Sequence, residues 1–287
     1  MNIFDDIKLQ YKIGGISNRV IYWNVAIFLL SLVFFYQFKV GSFDFPNWIS
    51  LSSNPKDILY FPWTLLTYAF LHSGFWHLFF NMMVLNFSSR LFLTFFTQKQ
   101  FFGLYLLSAI FAGLSFVLVY YVLNISSNIV GASAAVMAIL VATTTYQPLM
   151  EIRLLLIGNV KLWYLTAVIL LLDIMQVSLE NTGGHISHLA GALFGFIYIR
   201  LLMNGTDLSK IVTNVIHFFT NLGQPTKAST FKKVHVNPKK PAIKRESKVV
   251  IKDKSQQQID EILDKISQSG YDSLTAQEKE FLFKAGK

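Results

Sequence analysis

The sequence predicts an all-α polytopic membrane protein, a bundle of six transmembrane helices with a small helical tail on the cytoplasmic side. Three observations predict it. Hydrophobic residues make up 53% of the 287 and aromatic residues 15%, with a mean hydropathy of +0.45, more apolar than a soluble domain of this length. Charged residues are sparse between 20 and 199 and frequent from Lys210 onward, which separates a membrane body from a polar tail. Six stretches approach the roughly 20 apolar residues that cross about 30 Å of hydrocarbon.

Residues 1–19 read as a cytoplasmic N-terminal segment. The apolar run behind it is too long, and its flank too mixed in charge, for a cleavable signal peptide. The first span is 20–38, "VIYWNVAIFLLSLVFFYQF". The second is 75–96, with Arg90 near one end, and the third 101–123. The fourth runs from 131 to about 150, the fifth from 162 to 179 with Asp173 inside it, and the sixth from 185 to 203, so the membrane body covers 20–203. Lys8, Lys12 and Arg19 precede the first span, and Arg90 and Lys99 lie between the second and third. Arg153 and Lys161 lie between the fourth and fifth, Arg200 and Lys210 follow the sixth, and Lys56 is the cation read on the opposite side. Cytoplasmic loops carry the excess of Lys and Arg, so both termini are expected in the cytoplasm, and spans two, four and six are expected to start at the outer face. The outer connection "GSFDFPNWISLSSNPKDILYFPW" reads as an interfacial loop, with Trp48, Tyr60 and Trp63 suited to the headgroup layer. No inverted repeat points to a secondary transporter.

A basic linker is expected over 204–254, containing "FKKVHVNPKKPAIKRESKVVIKDK", a composition drawn to anionic lipid. Residues 255–287 read as a small helical cytoplasmic region. Ile259, Ile262, Leu263 and Ile266 share one face, Gly270 stops that helix, and Thr275 with Glu278 forms a capping box ahead of Phe281 and Leu282. The net charge of +9 sits largely in this tail and in the short inter-span loops, which fits membrane topology rather than nucleic-acid binding. The chain has no cysteine, which excludes disulfides and thiolate metal sites. No metal and no cofactor is expected.

Polar groups inside a bilayer are costly and turn toward the bundle interior, which makes them the functional candidates. Ser133 opens span four among Gly131, Ala132, Ala134 and Ala135, and His188 lies one turn into span six. His77 and Asn81 are spaced i,i+4 at the start of span two, on one helix face. The expected topology puts all four at similar depth below the outer surface. Serine with histidine suggests a nucleophile with its general base, and His77 with Asn81 offers donors for a developing oxyanion. Gly191 and Gly195 in "HLAGALFG" have small-xxx-small spacing for close helix packing, and Gly131, Ala134 and Ala135 give span four small residues to match. A lone serine in a transmembrane helix more often bonds back to its own backbone or aids packing, so the assignment stands on the four together.

"HSGFWHLFFNM" (72–82), "GASAAV" (131–136) and "HLAGALFG" (188–195), in this order and spacing on a six-span body, resemble the rhomboid intramembrane serine proteases over about 58–203. The resemblance implies a serine endopeptidase with a Ser-His dyad and no aspartate. Ser133 would be the nucleophile, His188 the base, and His77 and Asn81 the oxyanion donors together with the Ser133 backbone N–H. It implies transmembrane segments of other proteins as substrates, cut near the outer face after a small residue, in a multi-pass protein of a bacterial inner membrane. The lipid bilayer and transmembrane protein substrates are then the expected partners, and nucleic acid is not. The C-terminal appendage is similar to that of some bacterial rhomboids, notably from Bacteroidetes.

The alternative is a catalytically inactive rhomboid-like protein that binds client transmembrane helices, and retention of all four polar residues argues against it. Two positions depart from the family pattern. Ala134 follows the serine where glycine is usual, and Met137 stands where a tyrosine often stacks on the histidine. Both bear on rate more than on activity. Asp173 is left out of the dyad and is expected to bond loop backbone near 181–184 or to stay protonated, with orientation of His188 as the other reading. His185 is expected as a water-exposed loop residue, and His72 as an outer-loop residue without a role.

Overall fold

The long apolar runs fold as helices, since a chain with few polar neighbours must satisfy its N–H and C=O groups within its own backbone. The computed structural model describes residues 2–154, 157–177, 182–221 and 254–285, within two compact units, Met1–Pro225 and Thr226–Lys287. The first unit begins with α1 (Ile3–Ile13) and α2 (Gly15–Phe34), then a short hairpin of β1 (Tyr36–Gln37) and β2 (Ser42–Phe43). β3 (Leu51–Ser52), α3 (Pro55–Tyr60), α4 (Thr64–Thr67) and one 3-10 turn (Tyr68–Phe70) lead to α5 (Phe75–Leu93). Then come α6 (Gln98–Leu123), β4 (Asn128–Ile129) and α7 (Ser133–Tyr146), followed by the hairpin of β5 (Glu151–Leu154) and β6 (Gly158–Lys161). The unit closes with α8 (Leu162–Gln176), α9 (Thr182–Met203) and α10 (Ser209–Asn221). The second unit holds α11 (Lys254–Ser269) and α12 (Ala276–Ala285).

Among the described residues, α2, α6 and α9 are long and apolar enough to cross a membrane, and α7 and α8 are shorter apolar helices. The 19-residue α5 carries His77, Asn81, Asn86, Ser88, Ser89 and Arg90, which dilute its apolar character. Helix limits differ from the expected spans for local reasons. α2 ends at Phe34 rather than 38, because the chain turns back through Gly41 at φ +72° to pair β1 with β2. α7 begins two residues late because Gly131 has φ +140°, outside the helical region. It stops before Gln147, whose extended φ of −131° is what a residue preceding Pro148 adopts. The end of the expected fifth span and residues 222–253 of the expected linker lie outside the described residues.

Ala134 to Thr143 of α7 are buried without a break. A helix apolar on all sides has to be surrounded, and α5, α6, α8 and α9 pack around this one. The core so formed includes Phe28, Leu85, Phe92, Leu104, Ile139 and Tyr198. α9 comes closest. A Cβ at Gly191 would meet the Ala134 carbonyl, and a Cβ at Gly195 would meet the Ala138 carbonyl one turn on, so both glycines bring the backbones of α7 and α9 into contact. The non-helical approach to α7 is bonded to the protein. β4 pairs antiparallel with β3, Ile129 opposite Leu51. The Ser53 N–H donates to the Ser127 carbonyl at 2.9 Å and the Gly131 N–H to the Tyr68 carbonyl at 2.9 Å. The connection between α2 and α5 is therefore ordered by strand pairing and by the short helices α3 and α4.

Residues 209–221, expected within the linker, instead form α10 against α6. The Ser209 N–H donates to the Asp207 carboxylate at 2.9 Å, and buried Ser209 fills the space that a Cβ on Gly103 would take. Ile211, Val215, Phe218 and Phe219 remain exposed. In the second unit Ile262 is buried and Leu263 exposed, so the apolar face is narrower than the expected set. Gly270, at φ +78°, follows the end of α11. The Glu278 carboxylate accepts from the Thr275 N–H at 2.7 Å and from Lys265 at 2.9 Å, which completes the capping box. The Lys265 ammonium and then the Thr275 donors hold this exposed carboxyl at about 2. Its folded value is depressed, so its contribution is present above its ordinary value and is lost as pH falls through about 2.

Gly195→Leu is expected to destabilise the first unit by about 1–3 kcal/mol or more through overpacking against α7. Leu193→Ala, on an exposed face of the same helix, is expected to stay within about 0.5 kcal/mol of the parent. Thermal unfolding in detergent checks the pair, and equal melting of the two variants contradicts the close approach.

Candidate active site

A serine at the first position of a helix has its hydroxyl beside N–H groups that the helix cannot satisfy. Ser133 holds that position in α7. His188 stands on α9, where the Gly191–Ala134 contact draws the two helices together. His188 Nε2 and Ser133 Oγ are 2.6 Å apart. The other ring nitrogen, His188 Nδ1, lies 2.9 Å from Asp173 Oδ1 on α8. The same carboxylate oxygen is 2.7 Å from His185 Nδ1, one helical turn before His188. A carboxylate only accepts, so the network assigns a proton to Nδ1 of both rings and leaves Nε2 of a neutral His188 to accept from the serine hydroxyl.

His77 and Asn81 face the same place from α5. The Ser73 N–H lies 3.3 Å from His77 Nδ1, and Ser73 Oγ lies 2.9 Å from it. Because a backbone N–H can only donate, the Nδ1 of His77 is the acceptor, and the proton of the neutral ring sits on Nε2. That edge faces Gly131. A Cβ at 131 would lie 3.0 Å from both His77 Cε1 and Nε2 and 3.5 Å from Ser133 Oγ. Gly131 is thus required twice, by its positive φ and by the imidazole beside it. Its place is the turn before α7 rather than the helix seam that the sequence suggested. Asn81 donates one Nδ2 hydrogen to the His77 carbonyl at 2.8 Å, and a primary amide carries a second. A cavity of about 330 Å³ opens between α5, α7, α8 and α9, and Asn81, Ser133, Met137, Asp173 and His188 line it with Phe80.

Of the predicted set, the structure brings Ser133, His188 and Asn81 to one cavity, sets His77 outside its lining against Gly131, and puts Ala134, Gly191 and Gly195 in the α7–α9 seam. Two expectations are corrected. Asp173 bonds the two histidines, the reading of it that the sequence put second. His185 is a helical residue with its side chain 13% exposed, not a loop residue in water. His72 lies in the loop before α5, buried there with its ring 5.1 Å from that of His77. Ser73 was missed, although its position four residues before His77 was the available signal. Asp173, His185 and His188 each offer a ligand atom within 4.8 Å of the others, a spacing that their hydrogen bonds account for.

Residues 61–205 match the family model for the rhomboid domain, and residues 250–284 match a family of unknown function (DUF6576). None of the curated proteins matches the chain. A match across half of the 287 residues, on the same segment that holds the Ser133–His188 contact, establishes kinship: the chain belongs to the rhomboid family.

Proposed function

We propose that this rhomboid-family membrane protein is an intramembrane serine endopeptidase that hydrolyses peptide bonds in or near transmembrane segments of other membrane proteins. The observation that carries the reading is the 2.6 Å contact between Ser133 Oγ and His188 Nε2 beside an open cavity. His188 takes the hydroxyl proton as Ser133 Oγ attacks the scissile carbonyl carbon. The oxyanion accepts from the Ser133 N–H, the second Asn81 amide hydrogen and the His77 Nε2–H. The protonated His188 then gives its proton to the leaving amine, and the amine departs. Water, deprotonated by His188, attacks the acyl-enzyme carbonyl and releases the second product with Ser133 restored.

The same reading assigns six crossings with both termini in the cytoplasm of a bacterial cell. The 14 residues of α7 rise about 21 Å at roughly 1.5 Å each, short of about 30 Å of hydrocarbon. The bonded stretch before Ser133 completes that crossing, so the hydroxyl stands below the outer surface and draws its water from the cavity. Lys39, which lies past the expected first span as well as past α2, joins Lys56 in the outer connection. Up to residue 210, nine cations still lie on the opposite side, namely Lys8, Lys12, Arg19, Arg90, Lys99, Arg153, Lys161, Arg200 and Lys210.

Two experiments test this. Cleavage of a reporter transmembrane segment is measured on equal folded amounts of each variant. Ser133→Ala is expected to abolish cutting. His188→Ala is expected to lose on the order of 10⁴-fold, and Asn81→Ala roughly 10²- to 10³-fold. Cutting by Ser133→Ala would overturn the Ser133 assignment, and a folded parent chain that does not cut would turn the reading toward a protein that only binds client helices. For topology, the cysteine-free chain takes single replacements at exposed Lys56 and Gln256. An impermeant thiol reagent applied to intact cells is expected to label Lys56→Cys and to spare Gln256→Cys, and the reverse pattern overturns the orientation.

A further inference from the structure

We propose that Asp173 is a positioning residue for His188, with His185 as the second donor that fixes its carboxylate, so that Ser133 stands at the end of a chain Ser133–His188–Asp173–His185. This rests on the serine-protease reading and departs from a dyad that works without an acid. Three observations carry it. Asp173 is 7% exposed near the end of an otherwise apolar α8, a place where a carboxylate is costly unless it is hydrogen-bonded. Its Oδ1 meets both His188 Nδ1, at 2.9 Å, and His185 Nδ1, at 2.7 Å. The opposite nitrogen of His188 is the one that touches the serine hydroxyl.

A neutral imidazole can carry its proton on either nitrogen, and only the Nδ1–H form accepts from Ser133. The carboxylate selects that form. When His188 takes the serine proton, it becomes an imidazolium whose charge lies next to Asp173. His185 reaches the same oxygen from three residues away on the same helix, with its ring at 84° to that of His188 and the centroids 5.8 Å apart. Two donors on one oxygen hold the carboxylate in one place, and this ties α8 to α9 beside the cavity. The sequence separations of 12 and 15 residues, from one helix to the next, mean that no local motif announces the arrangement.

The test compares kcat and KM for reporter cleavage by the full chain, with Ser133→Ala inactive in the same assay as the check on the protease reading itself. Asp173→Leu removes both charge and acceptor and is expected to lower kcat at least about 10²-fold, the span of a general base that is no longer held in its working form. KM is expected to stay within about threefold, since the Asp173 carboxylate is engaged by the two histidines rather than offered to the reporter. Asp173→Asn is isosteric and keeps an acceptor while removing the charge, so its kcat is expected to fall between that of Asp173→Leu and the parent. His185→Leu is expected to cost less than Asp173→Leu, because the His188–Asp173 bond survives. Melting temperatures identify variants that fail to fold. If Asp173→Leu does not fold, Asp173→Asn decides: a kcat within about twofold of the parent overturns the proposal. A folded Asp173→Leu with parental kcat, or one whose loss lies wholly in KM, overturns it as well, while an inactive Ser133→Ala leaves the protease reading intact.

Discussion

A single carbon added at position 191 or 195 would run into the carbonyls of Ala134 and Ala138. The rest of the structure depends on this contact between the backbones of α7 and α9. Helices bearing ordinary side chains sit about 8–10 Å apart, and at that separation a serine on one and a histidine on the other rarely meet at 2.6 Å. Two glycines one turn apart remove the side-chain layer between the axes. Small residues on α7, Ala134 and Ala138, complete the approach from the other side. The depth to which α7 is buried follows from the same geometry, since α5, α6 and α8 close around whatever surface α9 leaves.

That seam sets a problem for the serine, which it solves by starting the helix there. A helix buried along Ala134–Thr143 leaves little room for water along its flank, yet the proposed hydrolysis consumes water. Ser133 is the first residue of α7 and lines the cavity, so its hydroxyl meets His188 there and its backbone N–H has no carbonyl partner within the helix. The preceding residues are not helical, and their polar backbone is satisfied by β3, by Tyr68 and by Ser53. A break in helical structure at that depth is tolerable only with such partners. Gly131, pressed on the His77 imidazole, links the start of α7 to the donor on α5. Ser73 in turn fixes the tautomer of that donor.

The helices of the first unit were legible because apolar runs of this length have few other ways to satisfy their backbone. Their ends were less so. Gly131 stops α7 by conformation and Pro148 by its effect on Gln147, and neither alters the hydropathy on which a span count rests. α10 escaped notice because Lys210, Asn214 and His217 interrupt its apolar residues, and its docking on Gly103 is a tertiary fact. Ser133, His188, His77 and Asn81 stood out because each is polar in an apolar setting and each belongs to a motif. Asp173 and His185 were polar in the same setting, but which face of α8 meets which face of α9 depends on helix rotation, and periodicity within one helix carries no such information. His185 was assigned to water on the assumption that α9 starts at 185, whereas it starts at Thr182.

The central claim is that Ser133 is made reactive by His188 across the α7–α9 seam. Its most direct measurement is reaction of the detergent-solubilised chain with a fluorophosphonate, followed by peptide mass spectrometry to locate the adduct. The account predicts one adduct, on the peptide that contains Ser133, and none in folded His188→Ala. A folded parent chain that stays unmodified, or one modified elsewhere with Ser133 intact, would contradict it.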